Sequence, residues 1–267
     1  MTWSLSLILA ALFAVLFLFG QQLGGHGPKA AFVGLVVCIP FILLPAALVY
    51  WPSVGYVAAT TGPWGQIYTW WPAFFAFLML GIASSASIAR KPRVAFITCT
   101  AVYALITFYR LFAIHGMDLA PLEHKVGADG ICRQTTGWTC GPACAVTLLS
   151  HFRVSATEGE MARLSLADPL RGVDDVQLAL AIREKALPAG YDVTVAESNW
   201  QNLRSSQLPV IVVFNLSTHL DHYAVVLSAN EDYVMLADPL SGARRIPREE
   251  FLVKWRNIVI ALQRVAR

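Results

Sequence analysis

Long apolar runs separated by short polar segments fill the first 117 residues of the chain. Four of these runs approach the roughly 20 residues that a helix needs to cross a hydrocarbon core of about 30 Å, namely residues 3–20, 30–50, 68–89 and 94–114. Arg110 lies near the end of the fourth run, where its long side chain can reach the membrane interface. The pattern predicts a transmembrane anchor of about four helices over residues 1–117.

The pattern changes after residue 117. Apolar positions spaced as on one face of a helix predict helices over residues 141–152, 158–166 and 173–186. Short apolar runs predict strands over residues 193–196, 209–216, 223–228, 233–237, 244–246 and 258–262, with a short helix over 248–255 before the last strand. Helices followed by antiparallel strands are typical of the α+β class. Residues 118–267 are therefore predicted to form one α+β domain, with no internal repeat.

The charged residues support this division. They make up only 14% of the chain, compared with about 25% in an average soluble domain. All 17 acidic residues follow residue 117, and the predicted spans contain no Asp, Glu or Lys. Transporters and pumps usually carry ionisable pairs inside the membrane, so we interpret the bundle as an anchor in membrane lipid or a docking surface. The formal net charge of +3 provides no strongly basic surface, which argues against nucleic acid as a partner.

Basic residues in short loops predict the orientation in the membrane. Lys29 lies between the first two spans, and Arg90, Lys91 and Arg93 lie between the last two. Because such loops stay in the cytoplasm, the C-terminal domain is predicted to lie on the outer (periplasmic) face of a bacterial inner membrane. The cytoplasmic face is the alternative, since the bias rests on these few charges.

Cys140 is the candidate nucleophile because it stands at the start of a predicted helix. The helix dipole and the free N–H groups of the first turn favour a thiolate at this position. Gln134 carries a side-chain amide that can donate to an oxyanion beside the Cys140 N–H. Trp138, Thr139 and Gly141 are predicted to line the substrate cleft, with packing as the alternative. Taken alone, a buried structural cysteine is the commoner interpretation of Cys140.

A cysteine nucleophile also needs a base that accepts its proton. His222 precedes one predicted strand and Asp238 ends the next, so two adjacent antiparallel strands can bring the side chains together. The carboxylate would then orient one ring nitrogen and leave the other facing the sulfur. Each residue also has a structural interpretation, His222 as a strand-edge histidine and Asp238 as a turn former before Pro239.

Three motifs occur in a fixed order along the chain: QTTGWTCGPACAVTLLSHF at 134–152, DHYAVVL at 221–227 and ADPLSG at 237–242. Together they resemble the double-glycine leader peptidases, the bacteriocin-processing branch of the papain-like cysteine peptidases. The resemblance implies a papain-like fold over residues 131–262, with Cys140, His222 and Asp238 as the catalytic triad and Gln134 in the oxyanion hole. It implies no cofactor and a peptide or protein substrate, with cleavage after Gly-Gly as the default expectation.

The chain departs from that family in its organisation. Family members are commonly the N-terminal domain of an exporter that carries an ATPase, whereas here the membrane segment comes first and the sequence contains no GxxxxGK[ST] motif. A separate exporter is therefore a candidate partner. Two other functions are left as alternatives: another thiol acyl-transfer enzyme of the cell envelope (an amidase or transpeptidase), and a non-catalytic adaptor that binds peptides.

A zinc site is a further alternative for the cysteine cluster. Cys132, Cys140 and Cys144 have C-x7-C and C-x3-C spacings, and the sequence contains no CxxC pair. Structural zinc sites usually have closer ligand pairs, so no metal is predicted.

Overall fold

The structure is a computed structural model that describes residues 3–48, 51–60, 71–85, 90–217 and 220–265. Two compact units divide the chain. One consists of Met1–Trp51 with Ala58–Gly116, and the other of Pro52–Val57 with Met117–Arg267.

Apolar helices form the described part of the first 116 residues. They are α1 (Trp3–Gly25), α2 (Pro28–Leu48), α3 (Pro52–Thr60), α4 (Trp71–Ser85) and α5 (Arg90–Gly116). Within the described ranges, one helical stretch, Leu7–Gly25, is long and apolar enough to cross a membrane by length and composition. Shorter apolar stretches lie at Pro28–Pro40, Ala73–Ser85 and Ile97–Ile106.

The four-span anchor thus stays a prediction. The predicted runs at 30–50 and 68–89 both extend outside the described residues.

Helices α1 and α4 pack closely through glycine. A Cβ atom on Gly20 would collide with the carbonyl oxygen of Leu78, and one on Gly81 would collide with that of Phe17. The buried ring of Phe13 in α1 stacks on the ring of Phe77 in α4, with centroids 4.7 Å apart. Close backbone approach through small residues is typical of helix pairs in membranes.

The second unit begins with helices and continues with an antiparallel sheet, so the predicted α+β order is confirmed. The helices are α6 (Cys140–His151), α7 (Glu158–Leu164) and α8 (Asp175–Ala186), with 3-10 turns at Ala120–Leu122 and Leu187–Ala189. The strands are β1 (Tyr191–Glu197), β2 (Val210–Ser217), β3 (Leu220–Ala229), β4 (Tyr233–Asp238), β5 (Gly242–Pro247) and β6 (Trp255–Arg264). Two short helices, α9 (Trp200–Ser205) and α10 (Arg248–Lys254), lie between strands.

Helix α9 was not predicted. Asn199 starts it by accepting a hydrogen bond from the backbone N–H of Asn202, and the helix is only six residues long. A helix of this length is too short to show the periodicity on which the prediction relied.

The six strands form one sheet in the order β1-β6-β2-β3-β4-β5. Strand β2 lies inside the sheet and is covered on both faces. Val210, Val212 and Phe214 join an aromatic cluster that includes Phe251 of α10 and Trp255. The intervening residues of β2 are fully buried as well, which explains why its sequence is continuously apolar instead of alternating.

Helices α6, α7 and α8 supply further buried apolar side chains, and α6 packs on β3. The fully buried members include Leu148, Leu149, Met161, Leu178 and Ile182. This packing places the first residue of α6 close to the start of β3, where the predicted nucleophile and base lie.

Candidate active site

Cys140 is the first residue of α6 and is 9% exposed. Thr139 precedes it as the N-cap residue, but its side chain makes no capping hydrogen bond to the helix. The Thr139 hydroxyl instead accepts from the backbone N–H of Thr136 at 3.1 Å. The first turn of α6 is therefore not capped by this side chain, which leaves its N–H dipoles available to a developing negative charge beside the sulfur.

His222 lies on β3 and contacts Asp238 at the end of β4. Its Nε2 atom is 3.2 Å from Asp238 Oδ1, and both side chains are buried. Because Nε2 faces the carboxylate, Nδ1 is the ring nitrogen left for Cys140. The structure thus brings together the three residues predicted as a triad.

The electrostatics of this group favour an imidazolium. Burial lowers the pKa of His222, but hydrogen bonds with Asp238 and Cys140 outweigh it and raise the pKa to about 9. Burial raises the pKa of Asp238, yet the His222 hydrogen bond and the Leu240 N–H hold it well below its usual range. A carboxylate that stays ionised beside a protonated imidazole suits a residue that orients the base.

Gln134 lies against the turn that follows Asp238. Its backbone N–H donates to the carbonyl of Pro239 at 3.0 Å, and its side-chain Nε2 donates to the carbonyl of Thr136 at 2.7 Å. An amide nitrogen carries two hydrogens, so one donor is left for an oxyanion. The Oε1 atom is buried without a hydrogen-bond partner among the described residues.

The three residues predicted to line the cleft are placed differently from one another. Trp138 is half-buried, whereas Thr139 is fully buried. Gly141 is also buried, and a Cβ atom there would lie 2.5 Å from Val173 Cγ1 and 3.3 Å from Tyr223 Cδ2. The space beside Gly141 is thus filled by protein, which favours the packing interpretation for it. Their contacts with substrate stay predictions.

Two other cysteines lie near Cys140 and are chemically distinct from a nucleophile. Burial raises the pKa of Cys132 to about 12, with a contribution from the Glu158 charge, and raises that of Cys144 well above its usual value. Buried thiols of this kind are poor nucleophiles. All five cysteines are free, so Cys132 and Cys144 form no disulfide. The described residues contain no group of three or more His, Cys, Asp or Glu side chains that could hold a metal ion.

A buried glutamate, not predicted from the sequence, holds the Gln134 loop. Glu158 is the first residue of α7, and its carboxylate accepts from the backbone N–H of Thr135 at 2.8 Å and from the Thr135 hydroxyl at 2.5 Å. Thr135 follows Gln134 directly. Glu158 therefore fixes the backbone that carries the candidate oxyanion donor.

A second buried pair, also not predicted, ties β3 to α8. The hydroxyl of Tyr223 donates to Asp175 Oδ1 at 2.6 Å and lies 3.1 Å from the carbonyl oxygen of Val173. Burial raises the pKa of Asp175 to about 6, although the Tyr223 hydrogen bond opposes this. Because Tyr223 follows His222 and packs against Gly141, the pair holds the strand of the base against the helix of the nucleophile.

The six residues around Asp238 occur almost unchanged at a second place in the chain. The expectation of no internal repeat is therefore wrong for segments of six residues. The sequence ADPLRG at 167–172 is repeated as ADPLSG at 237–242. Asp168 Oδ1 accepts from the N–H groups of the second and third residues after it at 2.9 and 3.1 Å. Asp238 Oδ1 does the same at 2.8 and 3.3 Å. Comparing the two segments letter by letter would have identified the first turn from the sequence alone.

Comparison with protein families is consistent with this geometry. The family model described as "Peptidase C39 family" matches residues 129–266. An uncharacterized protein of Methanothermobacter marburgensis is 30% identical over 149 residues, which cover 55% of this chain and 98% of that protein.

Two relatives have descriptive names. The probable functional amyloid protease FapD of Pseudomonas fluorescens is 33% identical, over 49% of this chain and 59% of FapD. The lactococcin-G-processing and transport ATP-binding protein LagD of Lactococcus lactis is 27% identical, over 45% of this chain and 17% of LagD. The match thus spans only part of each of these two relatives.

Proposed function

The chain belongs to the peptidase C39 family and is a cysteine peptidase, and on this premise we propose that it is a membrane-anchored endopeptidase that removes leader peptides. In this proposal residues 1–117 form the anchor and residues 118–267 the peptidase domain. The single observation that carries it is the placement of Cys140 at the start of α6 beside the buried His222–Asp238 pair.

The proposed reaction proceeds in two steps. The Cys140 thiolate attacks the scissile carbonyl carbon, and the oxyanion accepts hydrogen bonds from the Cys140 N–H and Gln134 Nε2. As the C–N bond breaks, protonated His222 donates its proton to the leaving amine, which leaves a thioester on Cys140. Neutral His222 then takes a proton from water, whose oxygen attacks the thioester carbonyl. The C–S bond breaks, which releases the new C-terminus as a carboxylic acid and restores the Cys140 thiolate beside protonated His222. Asp238 orients the imidazole throughout.

The sequence resemblance and the relatives support a peptide substrate. LagD is named as a processing protein for lactococcin G and FapD as a probable protease of a functional amyloid. We propose cleavage after a Gly-Gly pair, as in the double-glycine leader peptidases, with a separate exporter as partner. The apolar helix at Leu7–Gly25 supports attachment to the membrane, and the basic loops favour the periplasmic face.

The nucleophile can be tested with the full chain in detergent. The probe is a synthetic peptide with Gly-Gly before the scissile bond, and its products are identified by mass spectrometry. Cys140→Ala should abolish cleavage, whereas Cys144→Ala, the matched control one helical turn away, should retain it. The assignment fails if activity survives in Cys140→Ala and is lost in Cys144→Ala.

The oxyanion role of Gln134 can be tested in the same assay. Removing one such donor typically lowers kcat by about 10²–10³-fold. Gln134→Ala should show this loss with a nearly unchanged Tm. A decrease in kcat of less than about threefold would show that the amide does not face the reacting oxygen.

A further inference from the structure

The linker, residues 118–128, packs against the first turn of α7. It precedes the residues that the family model matches, which begin at 129. Leu122 of the linker is buried, and a Cβ atom on Gly159 would lie only 3.3 Å from the Cβ atom of Leu122. The carbonyl of His124 accepts from the backbone N–H of Glu158 at 2.9 Å. The linker is therefore part of the packed peptidase domain, although it lies outside the matched residues.

The carboxylate of Glu158 faces the Gln134 loop and does not cap its own helix. Thr157 caps that helix, since its hydroxyl accepts from the N–H of Glu160 at 3.1 Å. Glu158 instead accepts from the N–H and the hydroxyl of Thr135, at 2.8 and 2.5 Å. Glu158 is 0% exposed, and a buried carboxylate is costly unless it is hydrogen-bonded. Any movement of Thr135 away from Glu158 is therefore opposed.

The side chain of His124 contacts the same threonine. His124 Nδ1 lies 3.3 Å from the hydroxyl oxygen of Thr135. A hydroxyl group has one hydrogen, which Thr135 donates to Glu158, so its oxygen accepts from His124 Nδ1–H. One hydroxyl group of the loop is thus bonded both to the linker and to α7.

These contacts reach Gln134 through its backbone. Gln134 directly precedes Thr135, and its own N–H donates to the carbonyl of Pro239. Its side-chain Nε2 donates to Thr136 of the same loop at 2.7 Å, and its Oε1 is buried without a partner within the described part of the chain. Among the described residues, no hydrogen bond from another element fixes the amide group. The position of the amide is therefore set by the backbone of the loop.

We propose that His124, Thr135 and Glu158 are positioning residues for the oxyanion hole and act through the backbone of Gln134. This inference rests on the proposed function, because it needs the Gln134 amide to donate to the oxyanion. It assigns the linker a part in turnover, since the linker supplies His124. Residues that hold an oxyanion donor stabilise the transition state and not the bound substrate, so their loss lowers kcat with little change in KM.

The test uses the full chain in detergent and the synthetic Gly-Gly peptide described above. Thr135→Val removes the hydroxyl and keeps the shape of the side chain, whereas Thr135→Ser keeps the hydroxyl. His124→Ala removes the donor, whereas His124→Asn retains an N–H that can donate. Thr135 and His124 are exposed, so the fold should tolerate these substitutions.

A matched control and a second background complete the set. The control is Glu160→Gln, which changes another glutamate of α7 whose carboxylate lies 2.7 Å from Lys185 Nζ. Every variant is made in the wild-type chain and in Gln134→Ala. The measurements are kcat, KM and Tm.

We expect Thr135→Val to lower kcat about tenfold with KM within about twofold, which is part of the loss of about 10²–10³-fold on removing the donor itself. His124→Ala should lower kcat about threefold, because its hydrogen bond is long. Thr135→Ser and His124→Asn should keep kcat within about twofold of the wild type, and Glu160→Gln should match it. In the Gln134→Ala background none of these variants should lower kcat further, because the donor that they position is absent.

A purely structural role gives a different result. Thr135→Val would then lower Tm and would reduce kcat by the same factor in both backgrounds, which overturns the inference while the proposed function stands. Wild-type kcat in either Thr135→Val or His124→Ala overturns it as well. If Gln134→Ala itself keeps the wild-type kcat, the proposed oxyanion role of Gln134 fails and the inference fails with it, while Cys140→Ala still tests the nucleophile separately.

Discussion

The two DPL turns, residues 168–172 and 238–242, have the same internal hydrogen bonds, but only the second also contacts the catalytic histidine. In both, a buried aspartate accepts two backbone N–H groups and a glycine closes the turn. In the second turn the same Asp238 oxygen also faces His222 Nε2 at 3.2 Å, and Arg244 Nη1 lies 3.5 Å from the other oxygen. The six residues thus specify a turn, and the position of that turn in the sheet determines whether its aspartate can act on a histidine.

Asp238 makes the contacts of both interpretations given from the sequence, that of a turn former and that of a partner for His222. The aspartate forms a turn, as its position before Pro239 predicted, and it also contacts the histidine of the adjacent strand. A carboxylate oxygen can accept more than one hydrogen bond, so one interaction does not exclude the other.

The largest expected difference between the turns is in turnover. Asp238→Ala should lower kcat by about 10²-fold or more, because His222 loses the group that orients it. Asp168→Ala removes the equivalent turn contacts and should lower the free energy of unfolding by about 1–3 kcal/mol, with kcat within about twofold. Steady-state kinetics and urea unfolding of both variants measure this. Equal losses of kcat would show that the turn itself, and not the His222 contact, supports catalysis.

The pH dependence gives a smaller but more specific difference. Because the pKa of His222 is raised from 6.5 to about 9, kcat/KM should fall as the pH rises through about 9. Because the pKa of His222 is raised in the folded state, the His222–Asp238 pair also stabilises the fold. This stabilisation is fully present below pH 6.5 and is lost as the pH rises through about 9. Profiles of kcat/KM and Tm against pH check both statements.

The two Asp→Asn variants connect this profile to the comparison. Asparagine can still accept the turn hydrogen bonds but carries no charge. Asp238→Asn should therefore shift the upper limb of the profile toward lower pH, whereas Asp168→Asn should leave it near pH 9. An unshifted limb in Asp238→Asn would contradict the role of its charge in raising the pKa of His222.

The smallest expected difference concerns the closing glycines. Alanine at Gly172 or Gly242 must adopt a positive φ, which costs about 1–2 kcal/mol at either position. At Gly242 the new Cβ would also collide with the guanidinium of Arg133, next to Gln134, so Gly242→Ala should in addition lower kcat a few-fold. Unfolding and kinetics of both variants measure this. A larger loss of kcat in Gly172→Ala than in Gly242→Ala would contradict the closer link of the second turn to the catalytic residues.

Much of the second unit could be predicted from the sequence. The apolar patterns predicted α6, α7, α8 and the strands along the chain, because each element is long enough for its buried positions to form a pattern. The order of the strands in the sheet was not predicted. Cys140, His222 and Asp238 were predicted because the residue types needed for thiol chemistry stand at helix and strand ends. Gln134 was predicted because its side-chain amide lies six residues before Cys140. The sequence also contains the DPL repeat, and with it both turns.

Tertiary structure alone decided the contacts that join these elements. Glu158 reaches Thr135, and Tyr223 reaches Asp175, across separations that no local pattern encodes. The burial of Gly141 likewise depends on neighbours from other elements, Leu178 of α8 and Tyr223 of β3. Local sequence sets backbone conformation and periodicity, whereas the partner of a buried polar group is set by which elements pack together. For that reason the sequence could predict the residues of the site but not the buried pairs that hold it in place.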